Sequence, residues 1–116
     1  MRTYFTKDNI DPDKDVALLP PDFLYYEDHP EECFDRHGRR WQSAATIAKV
    51  ASGRLFAAYS GGGLDEGPNN YNCMSYSDDD GVTWRNDYLI IDHPKIVRMH
   101  EPILWVDPEG TLWHFW

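Results

Sequence analysis

The chain has 116 residues, of which 41% are hydrophobic and 15% aromatic, so it can form one folded domain and is not a disordered tail. Its 20 acidic residues outnumber its 11 basic ones and give a formal net charge of -9. This charge disfavours nucleic acid and anionic membranes as partners, because both repel an acidic surface. The 8 glycines and 8 prolines indicate many turns, as is typical of an all-β chain.

Targeting and metal-binding patterns are absent from the sequence. No apolar run is long enough for a transmembrane helix, and the first residues lack the apolar segment of a secretory signal. Cys33 and Cys73 are too few for a disulfide framework, and the histidines lack metal-ligand spacing. We therefore expect a cytoplasmic protein with two free thiols, no metal ion and no other cofactor.

The first 40 residues are polar and are interrupted by Pro12, Pro20, Pro21 and Pro30. Little hydrophobic periodicity is visible there, so we predict an extended N-terminal segment over residues 1–40 that is draped over a neighbouring surface. From residue 41 onward, short apolar runs alternate with turn residues, which indicates strands.

Four strands are predicted first, over residues 44–51, 54–60, 71–77 and 88–91. A long glycine-rich loop, residues 61–70, separates the second strand from the third. Four antiparallel strands in series form a meander, which is the unit of a propeller blade. The pattern then restarts with strands predicted over residues 101–106 and 111–116, joined by a turn at residues 107–110.

Residues 77–84 read S-D-D-D-G-V-T-W and predict a tight turn between the third and fourth strands. The short side chains of Ser77, Asp79 and Thr83 can share hydrogen bonds with the nearby backbone. Gly81 can adopt the positive φ that other residues resist. The Trp84 ring is suited to fill the space beneath the turn.

This S-x-D-x-G-x-T-W pattern is the Asp-box, and together with the strand spacing around it the stretch from Arg39 to Trp116 resembles the opening of a sialidase-like β-propeller. The resemblance implies an all-β fold in which residues 41–116 form the first one and a half blades of a six-bladed propeller. Since a propeller needs about 4–8 blades to close, we expect an N-terminal fragment of a longer protein. The Asp-box is a structural motif on the face far from the usual active site. A complete β-sandwich of six strands is the alternative fold.

The family resemblance also implies a site. Sialidases hold the substrate carboxylate with three arginines and use an Asp as acid/base and a Tyr–Glu pair as nucleophile. Gln42 stands where the first arginine is expected, and an amide cannot offer a charged bidentate fork. We therefore expect a sugar other than a standard sialoside, or a modified one.

Candidate site residues follow from the same resemblance. Asp65 or Glu66, in the glycine-rich loop, would be the proton donor, with Glu66 favoured because Gly67 and Pro68 follow it. The residues expected to line the subsite are Trp41, Gln42, Arg98 and Glu101. The alternative is that these residues have structural roles only. Asp65 and Glu66 would then be solvated loop acids, Arg98 would pair with a nearby acid at a strand entry, and Trp41 would only pack against its neighbours.

The leading hypothesis for function is a sialidase-like glycoside hydrolase with a carbohydrate substrate. We expect this stretch alone to be inactive, because the resemblance assigns the nucleophile to later blades. A non-catalytic carbohydrate-binding propeller is the alternative, and a structural or protein-binding propeller is a third possibility.

Overall fold

The computed structural model describes residues 19–25, 34–37, 39–93 and 97–116. Within these residues the fold is all-β, as predicted, with seven strands in two antiparallel sheets. None of the described residues belongs to a helix that is long and apolar enough to cross a membrane. The strands are β1 (Asp22–Tyr25), β2 (Thr46–Lys49), β3 (Leu55–Gly61), β4 (Tyr71–Ser77), β5 (Arg85–Asp92), β6 (Ile103–Val106) and β7 (Leu112–Phe115).

The larger sheet has the order β1-β5-β4-β3-β2, so β2 to β5 form the predicted meander. The third strand begins and ends as the sequence predicts, at Tyr71 and Ser77. The fourth begins earlier than predicted, at Arg85, because pairing resumes directly after the Asp-box turn, with Arg85 opposite Tyr76. Strands β2, β6 and β7 are shorter than the predicted strands over residues 44–51, 101–106 and 111–116.

A fifth strand lies inside the segment that the sequence predicts only to be extended. β1 pairs antiparallel with β5, from Asp22 opposite Asp92 to Tyr25 opposite Leu89. It follows Pro20 and Pro21, which carry no strand signal of their own, and its partner is distant in the sequence. β1 supplies backbone partners to the edge of β5 that would otherwise be open.

Alternating side chains give the sheet two apolar faces. On one face, residues of β3, β4 and β5 form a core with Met99 and with Leu104 of β6. On the other face, Tyr71, Cys73 and Ile90 pack together with Phe34 contacting them. The β6–β7 hairpin therefore covers the first face, and residues ahead of β2 cover part of the second.

The β6–β7 hairpin repeats the geometry of the β2–β3 hairpin. Thr46 pairs with Ala58, and Ile103 pairs with Phe115, so both members shift by the same 57 residues (46 to 103, 58 to 115). The turns match as well. The amide of the first turn residue donates to the carbonyl four residues later at 3.0 Å in both hairpins. The repeated hairpin geometry corresponds to the strand pattern that restarts at residue 101 in the sequence.

A buried ion pair fastens the chain ahead of β2 to the second face. The Arg39 side chain is 4% exposed, and its Nη2 lies 3.0 Å from Oδ2 of Asp87. The Tyr59 hydroxyl donates to the other oxygen of Asp87. Gly61 leaves room for this arrangement, since a Cβ added there would lie 2.5 Å from Arg39 Cδ.

Candidate functional site

The antiparallel meander separates two ends of the sheet. At one end, the β2–β3 turn meets the Asp-box turn, where Lys49 Nζ lies 2.8 Å from Asp80 Oδ1 and Arg54 Nε lies 2.7 Å from Asp78 Oδ1. We call this the Asp-box end.

The other end, which we call the rim, is formed by residues 39–45, 62–70 and 97–102. These three stretches touch each other. The amide of Gly62 donates to the carbonyl of Trp41 at 3.1 Å, and the amide of Met99 donates to the carbonyl of Asn70 at 3.3 Å. Every site residue that the sequence predicts for catalysis or sugar binding lies at the rim.

At the rim, three of those six predicted residues contact the guanidinium of a fourth, Arg98. Arg98 Nη1 lies 3.0 Å from Glu66 Oε2, and Arg98 Nη2 lies 3.4 Å from Glu101 Oε1. The guanidinium carbon lies 5.8 Å from the centre of the Trp41 ring, within the range of a cation–π contact. His100 Nδ1 lies 2.6 Å from Glu101 Oε2. These five residues, Trp41, Glu66, Arg98, His100 and Glu101, are the Arg98 cluster.

The electrostatics of the Arg98 cluster keep Glu101 ionised. Its own backbone amide, followed by nearby His100 and Arg98, lowers the pKa of its carboxyl group. Arg98 is largely covered, with 23% of its side chain exposed, whereas Glu66 is 60% exposed. Within the described part of the chain, Arg98 Nε is buried and has no hydrogen-bond partner. The cluster therefore combines an aromatic ring, an ionised acceptor and a largely covered guanidinium.

Three buried polar residues hold the Arg98 segment in place, and we call them the polar latch: Ser60, Asn70 and Asn72. Ser60 Oγ donates to the carbonyl of Met99 at 3.0 Å, and Asn72 Nδ2 donates to the carbonyl of His100 at 2.9 Å. Sequence reasoning missed the latch. A signal existed, because Ser60 and Asn72 continue the inward-facing alternation of their strands, where a polar residue needs a partner.

Asn70 also shapes the glycine-rich loop that carries Glu66. Its Nδ2 donates to the carbonyls of Gly62 and Asp65 at 2.7 and 2.9 Å, and its Oδ1 accepts from the amide of Gly67 at 2.8 Å. The loop is thereby folded back onto its own base. It brings Glu66 to Arg98, whereas Asp65 is exposed and contributes its carbonyl to the loop.

Gln42 lies at the rim but contacts a different group. It forms an isolated bridge with Gly61, and its Oε1 accepts from Arg39 Nη1 at 3.4 Å. Arg39 is buried against Asp87, which makes it a structural anchor. The guanidinium that contacts Gln42 is therefore already engaged by Asp87.

The Asp-box residues form one local network at the opposite end. Ser77 Oγ accepts from the amide of Gly81 at 2.9 Å, and Asp79 Oδ1 accepts from the amide of Thr83 at 2.8 Å. Gly81 has a φ of +86°, and Trp84 Nε1 donates to its carbonyl at 3.0 Å. Hydrogen bonds from the side chain and the amide of Thr83, and then from Ser77, lower the pKa of Asp79 to about 2.

Metal and thiol chemistry are not indicated in the described residues. No group of three or more His, Cys, Asp or Glu side chains there is arranged to hold a metal ion. Cys73 is a buried free thiol, and burial raises its pKa, which makes it unreactive at neutral pH. Cys33 lies outside the described residues.

Comparisons of the chain with protein-family models, with curated proteins and with solved structures found no match. The functional argument therefore starts from the Arg98 cluster and the Asp-box themselves.

Proposed function

We propose that this chain forms the opening of a sialidase-like β-propeller glycoside hydrolase and that the Arg98 cluster is part of its sugar-binding rim. One observation carries the proposal. Trp41, Glu66 and the pair Arg98 and Glu101 come from three separate stretches of sequence and meet around one guanidinium.

Two features of the fold support the propeller. The hairpin geometry repeats after 57 residues (46 to 103, 58 to 115), as successive blades would. The Asp-box lies at the end of the sheet opposite the Arg98 cluster, which is the arrangement that the family resemblance implies. A meander of β2 to β5 fits one blade, and β1 is an addition at its edge.

Each residue of the cluster has a chemical role in this proposal. Trp41 offers an apolar ring for the face of a sugar. Arg98 and the ionised Glu101 bind sugar hydroxyls as donor and acceptor. Glycoside cleavage also needs a carboxylic acid that protonates the leaving oxygen. We assign this role to Glu66, with Asp65 as the alternative. Glu101 is a poor proton donor because its pKa is lowered.

The site favours a sugar without a carboxylate. Arg98 already contacts two carboxylates, and an anionic sugar would have to displace one of them. Gln42 adds no positive charge. We therefore expect neutral sugars to bind more tightly than N-acetylneuraminic acid.

Binding at the rim is the direct test, since the resemblance assigns the nucleophile to other blades. Methyl glycosides of galactose, glucose, N-acetylglucosamine and N-acetylneuraminic acid are titrated into the chain and monitored by tryptophan fluorescence. We expect Arg98→Met to weaken binding about tenfold to a hundredfold, the effect of losing a charged hydrogen bond. Arg54→Met, at the Asp-box end, is the matched control. Binding that is equal in both variants, or no binding of any glycoside, contradicts the proposal.

A non-catalytic carbohydrate-binding propeller is the second candidate. It is favoured by the exposure of Glu66, 60% of whose side chain is open to solvent, because a proton donor is usually enclosed. In a complete propeller that contains this stretch, Glu66→Gln and Asp65→Asn separate the two candidates. Loss of hydrolysis with binding retained supports the hydrolase, whereas binding without any hydrolysis by the unaltered protein supports the second candidate.

A further inference from the structure

Strand β5 contains a bulge that turns the carboxylate of Asp87 onto the second face of the sheet. The pairing with β4 shifts between Met74 and Tyr76, where one residue of β4 opposes three of β5 (75 against 86, 87 and 88). Strict alternation from Leu89, which belongs to the first core, would place Asp87 on that same face. The Asp87 carboxylate instead contacts Arg39. Bulges commonly re-aim a side chain in this way.

The backbone of Asp87 has an unusual conformation at this bulge. Its φ is +51°, a left-handed value that few residues other than glycine adopt and that aspartate tolerates better than most. Its amide donates to Ser75 Oγ at 2.9 Å, and its side chain is 10% exposed. Such conformations persist where surrounding contacts hold them, and they are frequent at functional sites. The bulge, the positive φ and the amide contact together fix the direction of one buried carboxylate.

Asp87 holds Arg39, and Arg39 packs on the two glycines at the base of the rim. The guanidinium that contacts Asp87 also donates to the Tyr71 hydroxyl, from Nε at 3.3 Å. A Cβ added at Gly61 would lie 2.5 Å from Arg39 Cδ, and one added at Gly62 would overlap the Tyr71 ring. The side chains of Arg39 and Tyr71 therefore lie directly against the backbone of Gly61 and Gly62.

Both halves of the Arg98 cluster are attached to Gly62. The amide of Gly62 donates to the carbonyl of Trp41 at 3.1 Å, and its carbonyl accepts from Asn70 Nδ2 at 2.7 Å. Asn70 in turn folds the loop that carries Glu66. The aromatic ring and the loop carboxylate that meet at Arg98 thus share one backbone support.

We propose that Asp87 is a positioning residue for the Arg98 cluster. Through Arg39, which packs on residues 61–62, it fixes the two halves of the cluster from the second face of the sheet. This positioning belongs to the folded chain with or without a ligand. Its consequence for glycoside affinity rests on the proposed function, because it requires that the cluster binds sugar.

Three variants of the chain test the proposal. Asp87→Asn keeps the size of the side chain and removes its charge, and asparagine also tolerates a positive φ. Tyr59→Phe keeps the ion pair and removes only the hydroxyl that donates to Asp87. Ser77→Ala is the control, because it removes the hydrogen-bond partner of a backbone amide at the Asp-box end. Circular dichroism checks that each variant is folded, and Tyr59→Phe carries the test if Asp87→Asn is unfolded.

Proton–nitrogen correlation spectra of each unliganded variant report the position of the rim. We expect Asp87→Asn to shift the Trp41 indole and Gly67 amide signals, and Tyr59→Phe to shift both by a smaller amount. Ser77→Ala should leave both signals unchanged. Titration with the methyl glycosides should show affinity about twofold to thirtyfold weaker for Asp87→Asn, the range expected for residues that modulate a site without contacting its ligand. The control should bind as the unaltered chain does.

The two signals separate positioning from sugar binding. Trp41 and Gly67 signals that stay unchanged in both Asp87→Asn and Tyr59→Phe overturn the proposal, whether or not a glycoside binds. Equal shifts in Ser77→Ala overturn it as well, because they would reflect a general loss of stability. Shifted signals with unaltered glycoside affinity also overturn it. Shifted signals in a chain that binds no glycoside support the positioning and contradict the proposed function.

Discussion

The hydrogen bonds of the Asp-box turn after β4 lie mostly within residues 77–84. The glycine-rich loop before β4 combines hydrogen bonds within residues 61–70 with contacts to distant stretches. In the turn, Asp79 accepts from Thr83, and Gly81 donates to Ser77. At the loop, the carbonyl of Asn70 accepts a hydrogen bond from the amide of Met99, and Glu66 forms an ion pair with Arg98. The comparison teaches that the Asp-box turn is defined largely by local sequence, while the loop at the rim also depends on tertiary packing.

The two ends also differ in how completely their polar side-chain atoms are paired. Both Asp79 oxygens and Ser77 Oγ have partners inside the turn. At the rim, Arg98 Nε and Asn72 Oδ1 are buried without hydrogen-bond partners within the described part of the chain. Buried polar groups without partners are uncommon and are often found at functional sites. This difference is consistent with the proposal that sugar binds at the rim.

The largest expected effect lies at the rim, where Arg39→Met removes the partner of Asp87. A buried ion pair that loses one member leaves an uncompensated charge, which costs about 3–5 kcal/mol in the free energy of unfolding. Urea unfolding measures this effect. Arg40→Met, at the exposed neighbouring position, is the matched control and should change stability by less than about 0.5 kcal/mol. Equal effects of the two substitutions would show that the buried pair is not the anchor.

The next effect compares two glycines at opposite ends of the sheet. Gly62 has a φ of +98° and Gly81 a φ of +86°, so alanine is strained at either position. A Cβ at Gly62 would also overlap the ring of Tyr71, whereas at Gly81 its nearest neighbours lie 3.7 Å away. We expect Gly62→Ala to lower the free energy of unfolding by about 3 kcal/mol and Gly81→Ala by about 1–2 kcal/mol. Thermal unfolding ranks them, and the reverse order would contradict the packing described for the rim.

A smaller effect separates stability from function at the two ends. Asn72→Ala removes the donor to the His100 carbonyl, and Ser77→Ala removes the acceptor of the Gly81 amide. Each leaves a polar backbone group without its partner and costs about 1–3 kcal/mol. Only Asn72→Ala should also weaken glycoside binding, because the polar latch positions Arg98. If Ser77→Ala weakens binding equally, the two ends are coupled and the comparison fails.

The smallest effect is a pH dependence that belongs to the Asp-box end. The folded-state pKa of Asp79 is lowered from 3.8 to about 2, so the folded chain favours the carboxylate. Asp79 therefore contributes stability above pH 3.8 that is lost as pH falls towards about 2. We expect Asp79→Asn to be less stable at neutral pH and to have a flatter stability profile within this window. Urea unfolding across the window measures it, and parallel profiles for the two proteins would contradict the prediction.

The sequence predicts the Asp-box end of the sheet better than it predicts the rim. The bounds of β4 and the hydrogen bonds of the Asp-box depend on residues within a few positions of each other, and both emerge from pattern alone. The convergence on Arg98 could be predicted as a shared rim, because antiparallel strands return their ends to the same side. It could not be predicted that Glu66, and not Asp65, reaches Arg98, since this depends on how Asn70 folds the loop.

Other features escaped prediction because their partners are distant in sequence. β1 has little hydrophobic periodicity and is recognised only by its pairing with β5. Arg39 lies in a polar stretch, and its burial depends on Asp87 and on the space left by Gly61. In both cases tertiary contacts decide a structure that the local sequence leaves open.

Proton–nitrogen correlation NMR spectra, recorded during titration with the methyl glycosides, test the proposed sugar-binding rim most directly. The account predicts that the Trp41 indole, the Arg98 Nε–H and the Gly67 amide shift together with one binding constant, while the Trp84 indole at the Asp-box end stays unchanged. A glycoside that shifts Trp84 and leaves Arg98 unchanged, or the absence of any shift at Arg98 with every glycoside, would contradict it.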